Sequence, residues 1–203
     1  YVNTDPYLYG NDVDQLYIAI DDNGNTGGYN GPVNLGTVNV DIVNTNTAPV
    51  LDNTGNMTFT AITEDQINTS GNSVASILAS ASGTRLTDVD GDPLGIAVIG
   101  TTGGDGYYSY WQYSTNGGGS WSDMDYYGSV STSNALLLNS TDLIRFVPDA
   151  TNGVSNASIR FYGWDGTNAA AHTYADGSTT GGNSAFSTAY EDATIIVSDV
   201  NDA

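Results

Sequence analysis

Cysteine and lysine are both absent from this 203-residue chain, and three arginines and one histidine make up its basic complement. Without cysteine no disulfide can staple the fold, and the redox compartment leaves no mark on the sequence. With a formal net charge of −20, the chain has almost nothing with which to neutralise a phosphate backbone, which excludes nucleic acid as a ligand. Anionic membrane surfaces are disfavoured for the same reason. No signal peptide and no apolar run of transmembrane length is present, which argues against membrane insertion. Glutamate is nearly missing too: Glu64 and Glu191 are the only two, leaving 23 − 2 = 21 aspartates. Many of these stand beside Gly or Asn, in loop chemistry rather than in helical Glu/Lys ladders. Such a chain resists its own folding at low salt and gains stability from divalent cations.

The groups needed for catalysis are also scarce. His172 is the single histidine, and it sits in Ala169-Ala170-Ala171-His172-Thr173 without a nucleophile elbow. Paired carboxylates for glycoside hydrolysis are not excluded by counting. The Asp pairs, however, are spaced for metal coordination rather than isolated in apolar pockets that raise a pKa. The expectation is a non-enzyme.

What the chain does have is short strands and turn signals. Leu16, Ile18 and Ile20 alternate, a Gly/Asn-rich loop follows, and Val38-Asn39-Val40-Asp41-Ile42 alternates again. This predicts a hairpin over residues 1–46 that belongs to the tail of a preceding β-sandwich module. The chain starts and stops abruptly, so it reads as a piece of something longer. Thr45-Asn46-Thr47-Ala48-Pro49 reads as a linker, and Val200-Asn201-Asp202-Ala203 echoes it. The domain between, residues 47–203, carries alternation over 56–62 and 107–113. Apolar strand segments cover 94–99, 136–138, 143–147, 159–162 and 194–197, and a brief helix or apolar strand falls near 73–81. Few helical periods and many Gly/Asn turns predict an all-β sandwich.

The densest acidic stretch is Leu86-Thr87-Asp88-Val89-Asp90-Gly91-Asp92-Pro93-Leu94. Alternation sends Asp88, Asp90 and Asp92 toward one side, where like charges repel unless a cation sits among them. Oxygen-only ligation points to Ca²⁺. No EF-hand is present, because counting from Asp88 puts Pro93 where the loop needs Gly and Ile99 where it needs Glu. The pattern instead resembles a cadherin-like scheme of calcium ligands. That resemblance implies that Glu64, Asp88, Asp90, Asp165 and the linker Asp199-Val200-Asn201-Asp202 converge at module junctions. The upstream linker lacks aspartates, so its junction is expected to bind calcium weakly or not at all. A second feature is aromatic: Tyr107, Tyr108, Tyr110, Trp111, Tyr113, Trp121, Tyr126 and Tyr127. Trp111 is the expected core plug, while Tyr107, Tyr108, Tyr126 and Tyr127 are candidates for ligand contact, since tyrosine brings area at low entropic cost.

From Asn46-Thr47-Ala48-Pro49-Val50-Leu51-Asp52 onward the sequence resembles the peptide-binding domain of giant bacterial RTX adhesins. Carrying motifs include Ile62-Thr63-Glu64-Asp65, Leu86-Thr87-Asp88-Val89-Asp90, Trp111-Gln112-Tyr113-Ser114-Thr115-Asn116-Gly117-Gly118, Arg145-Phe146-Val147-Pro148-Asp149, Trp164-Asp165-Gly166-Thr167 and Gly181-Gly182-Asn183-Ser184-Ala185-Phe186. The resemblance covers about three quarters of the chain. It implies a type I secreted, calcium-stabilised cell-surface module of biofilm adhesion. Such a module binds the C-terminal end of peptides or proteins on host or neighbouring cells through a calcium-held carboxylate. The other expected partners are neighbouring modules of the same adhesin. On this reading Asp165, Asp176, Ser178, Gly181 and Gly182 build the ligand calcium site: the acids supply charge, and the glycines allow close backbone approach. The alternatives are a purely structural calcium-rigidified extender and a calcium-dependent lectin-like module.

Overall fold

A computed structural model describes residues 10–20, 33–42, 45–104, 108–124, 130–149 and 157–201. The chain divides into two compact units, residues 1–45 and 46–203. The first is an antiparallel hairpin of β1 (Gly10–Ile20) and β2 (Val33–Ile42), with Leu16 opposite Val38 and Ile18 opposite Gly36. The expected alternation is there, yet Leu16, Ile18 and Val38 are all exposed.

The second unit is a β-sandwich, as the turn-rich, helix-poor pattern predicts. Its elements in chain order are β3 (Val50–Leu51), β4 (Ile62–Thr63), β5 (Asn72–Ser73), α1 (Val74–Ala79), β6 (Leu86–Thr87), β7 (Gly95–Thr102), β8 (Tyr110–Ser114) and β9 (Ser122–Asp123). There follow β10 (Ala135–Asn139), β11 (Leu143–Val147), β12 (Ala157–Trp164), β13 (Tyr174–Ala175), β14 (Phe186–Ile195) and β15 (Val197–Ser198). One sheet runs β13-β10-β7-β12-β14 and the other β5-β11-β8-β9. Ile96, Val98, Leu136, Leu138, Ile159 and Phe161 from the first sheet share one buried core with Trp111, Ile144 and Phe146 from the second. Trp111 is the plug expected of it: it has no exposed surface, its ring lies 5.0 Å from Phe59 and 5.1 Å from Phe146, and its indole N–H donates to Thr102 O at 3.0 Å. Truncating such a ring typically costs about 3–5 kcal/mol.

The outer face of the five-stranded sheet is apolar over part of its area. Ala97, Ile99, Leu137, Trp164 and Phe186 form a second core there, against which Ala169, Ala171 and Ala175 pack. The loop from Asp165 to β13 is therefore a lid on the sheet, not a free arm.

One local reading resolves differently from its pattern, and another resolves to one of its two alternatives. The 56–62 alternation does bury Met57 and Phe59, but it forms only an isolated bridge, Thr58 with Thr194, before the two-residue β4. The 73–81 segment becomes the short helix α1, because Ser73 accepts a hydrogen bond from Ser76 N as its N-cap.

Candidate metal centre and ligand groove

Asp88, Asp90 and Asp92 follow β6 directly, and Gly91, at φ 79°, makes the turn that brings them together. One carboxylate oxygen from each lies within 4.8 Å of the others, inside the roughly 5 Å that spans a Ca²⁺ coordination shell. The triad can hold a metal ion. Asp88 Oδ1 accepts from Asp90 N at 2.7 Å, and Asp90 Oδ2 accepts from Thr47 N at 2.7 Å. Asp88 Oδ2 is buried and has no hydrogen-bond partner among the described residues, an arrangement that a cation resolves and water-excluding packing alone does not. Burial, and then the negative charges of Asp88, Asp165 and Asp90, push the Asp92 carboxyl above its ordinary value.

Asp165 stands next to this triad. It is fully buried; Oδ1 accepts from Thr167 N at 2.9 Å and Thr167 Oγ1 at 2.6 Å, and Oδ2 accepts from Asn46 Nδ2 at 2.9 Å. Asn46 Nδ2 also lies 3.1 Å from Ser184 O. The upstream linker, expected to be a poor calcium junction, is thus the segment lashed to the acidic centre. Counting carboxylates missed it because Asn46 and Thr47 contribute an amide and a backbone N–H rather than charge.

Glu64 and the downstream linker lie elsewhere, and the expected single convergence does not form. Glu64 is fully buried; its Oε1 accepts from Val200 N at 2.7 Å, and its backbone N–H bonds Ser198 O. β15 pairs with β4 just beyond the β14 end where Ile195 faces Ala157, whereas Asp165 follows the other end, where Phe186 faces Trp164. The seven residue steps of β12 put these ends roughly 20–25 Å apart, so no single ion joins Glu64 to Asp165. Asp199 and Asn201 are exposed on the Glu64 side, and Asp202 lies outside the described residues.

The expected ligand site also divides. Gly181 and Gly182 adjoin the acidic centre through the linker: Ala48 N donates to Gly182 O at 2.8 Å. Together with Thr47–Leu51, Thr188 and Ala189 they line a groove of about 350 Å³. Gly181 has φ 69°, and a Cβ there would collide with Thr188 Oγ1, so the turn requires glycine. Asp176 and Ser178 are not part of this group. Asp176 Oδ1 accepts from Ser178 N at 2.9 Å in an exposed turn, and hydrogen bonds from the Ser178 side chain and then its backbone lower the Asp176 pKa. By register, Ala175 faces Ala135 at the Ile99 level, while Asp165 follows Trp164 at the Gly95 level, three strands across. At standard spacings that is on the order of 20 Å, too far for Asp165 and Asp176 to share an ion. Tyr108 is exposed; Tyr107, Tyr126 and Tyr127 lie outside the described residues.

In the comparisons with known proteins, no family model matches this chain, and neither a curated protein nor a solved structure matches it.

Proposed function

We propose that this chain is a calcium-dependent adhesion module, of the kind carried on the surface by type I secreted bacterial RTX adhesins, that binds the C-terminal end of a peptide or protein. The observation that carries the reading is the Asp88–Asp90–Asp92 triad, with its orphaned buried Asp88 Oδ2, set beside the Thr47–Leu51 and Gly181–Gly182 groove. Asp88, Asp90 and Asp92 are the residues that would hold Ca²⁺. Bound there, the ion supplies local positive charge, which a chain of net charge −20 otherwise lacks for a terminal carboxylate. Asp165 and Asn46 fix the linker that forms one wall of the groove. Gly182 presents backbone to it.

Calorimetric Ca²⁺ titration of chelator-treated protein tests the ion, and a peptide array in Ca²⁺ with free and amidated C-termini tests the ligand. The expected result is saturable Ca²⁺ uptake that weakens by at least about tenfold in Asp90→Asn, with peptide binding that requires the free carboxylate. Equal affinity for amidated peptides would overturn the carboxylate reading, and absence of Ca²⁺ uptake would overturn the ion. A second reading, a calcium-stiffened extender that binds nothing, draws on the bonds from Asn46 and Thr47 into the acidic centre. It predicts a chelator-induced fall in Tm and an array with no hits.

A further inference from the structure

The alanine-rich lid covers only the Trp164 end of the five-stranded sheet's outer face. Toward the other end the face opens into a trough of about 550 Å³, within the ~300–1,000 Å³ usual for small-ligand sites. Its floor is Ile99, Gly100 and Thr101 of β7 with Arg160 and Tyr162 of β12, and Tyr190 and Asp192 of β14 stand on the far side. The near wall is Thr132, whose carbonyl accepts from Gly177 N at 2.8 Å.

Two local features make this face concave. Arg160 pairs with Gly100 but Phe161 pairs with Val98, so Ile99 is an extra residue and β7 bulges. At the bulge stands glycine: a Cβ on Gly100 would meet nothing closer than Arg160 Cβ at 3.8 Å. Bulges and strand glycines recur where a ligand approaches a sheet closely.

The lining has a definite chemistry. Arg160 Nε and Nη2 donate to the two oxygens of Asp192 at 2.8 and 2.7 Å, and the guanidinium lies 4.5 Å from the Tyr190 ring centroid. Tyr190 is 46% exposed and sits directly opposite Tyr162. The result is a row of planar groups: a charge-neutral Arg–Asp pair, which keeps Nη1 donors and carboxylate lone pairs at its edge, beside two phenol rings. Thr102 and Ser158 hydroxyls, 2.8 Å apart, extend the polar rim. Aromatic faces take apolar C–H surfaces, while adjacent donors and acceptors match vicinal hydroxyls, which both donate and accept. An anion gains nothing here because Arg160 is already neutralised. An added peptide strand finds little free edge, since β12 is flanked on both sides and the outer edge of β14 is already engaged by Asn53 Nδ2 on Tyr190 O and by Met57 and Phe59 on Thr194.

We propose that this trough is a binding site for an uncharged glycan, separate from the acidic centre and independent of Ca²⁺ at it. The test is affinity electrophoresis of the full chain, in Ca²⁺ throughout, through gels containing neutral polysaccharides: hydroxyethylcellulose, xyloglucan, glucomannan, galactomannan or soluble starch. Retardation is expected in at least one gel, weakened by at least about tenfold in Tyr190→Ala and in Gly100→Val. Gly100→Val fills the trough from a strand position that tolerates a β-branched residue, and an unchanged Tm certifies its fold. Asp88→Asn and saturation with a free-carboxylate peptide should both leave retardation intact, so failure of the calcium–peptide reading does not touch this one. No retardation in any gel, or retardation unchanged in Gly100→Val, would overturn the proposal.

Discussion

Asp88 and Asp165 carry the same formal charge within one acidic centre, but their surroundings give them different work. Among the described residues, the hydrogen bonds that the Asp165 carboxylate accepts come from Thr167 and Asn46, so it organises the lid and the linker with or without a cation. Asp165→Ala removes a buried, charge-assisted acceptor and should cost about 2–3 kcal/mol in urea unfolding even in chelator. Asp88→Asn keeps a side-chain oxygen for Asp90 N and removes one member of a like-charged triad. Its unfolding free energy in chelator should stay within about 0.5 kcal/mol of the parent, while calorimetric Ca²⁺ affinity falls. A costly Asp88→Asn combined with a silent Asp165→Ala would mean that these roles are reversed.

Between elements, the turn joining β10 to β11 is latched to the lid. Asp142 is buried; its Oδ2 accepts from Asn139 N at 2.7 Å and from His172 Nε2 at 2.9 Å. His172 adopts φ 65°, a region a non-glycine residue enters only when its surroundings compel it. Asp142→Ala should cost about 2–3 kcal/mol. His172→Ala, at a half-exposed side chain, should cost no more than about 1 kcal/mol, both by urea titration. On β14, burial first and then the charge of Asp192 raise the Glu191 carboxyl above its ordinary 4.5. Ionising it therefore opposes folding. The penalty is absent below pH 4.5 and grows as pH rises through the raised value, so Glu191→Gln should raise Tm at neutral pH and leave it unchanged near pH 4. These elements also show what a sequence can reveal. Trp111, Leu136–Leu138 and Ile159–Phe161 declare their strands because burial on one or both faces writes itself as apolar patterning. The first seven residues of β14 do not, since Thr188, Tyr190 and Asp192 point outward and read as loop. The Asp88–Asp90–Asp92 cluster was legible because its three acids are neighbours in sequence. The separation of Glu64 from Asp165 was not, because it depends on β12 and β14 running antiparallel between them.

Over the whole molecule the few cations are already committed. Arg85 pairs with Asp52 at 2.9 Å and Arg160 with Asp192 at 2.7 Å. Arg145 lies 4.1 Å over the Trp121 ring and donates to Gln112, Asn68 and Thr69. The rest of a net charge of −20 acts as self-repulsion, which mobile ions screen over about 30 Å at 0.01 M and about 10 Å at 0.1 M. Two cation effects should therefore separate in a thermal titration of chelator-treated protein. Sodium chloride should raise Tm gradually across that whole range, with no stoichiometric break, because it only shortens the reach of the repulsion. Calcium chloride at fixed ionic strength should raise Tm steeply and then more slowly once the acidic centre fills, following RT ln(1 + [L]/Kd). In Asp90→Asn the sodium response should persist while the calcium response moves to higher concentration. Superimposable sodium and calcium curves at matched ionic strength would reduce the triad to diffuse charge and remove the ion from the centre.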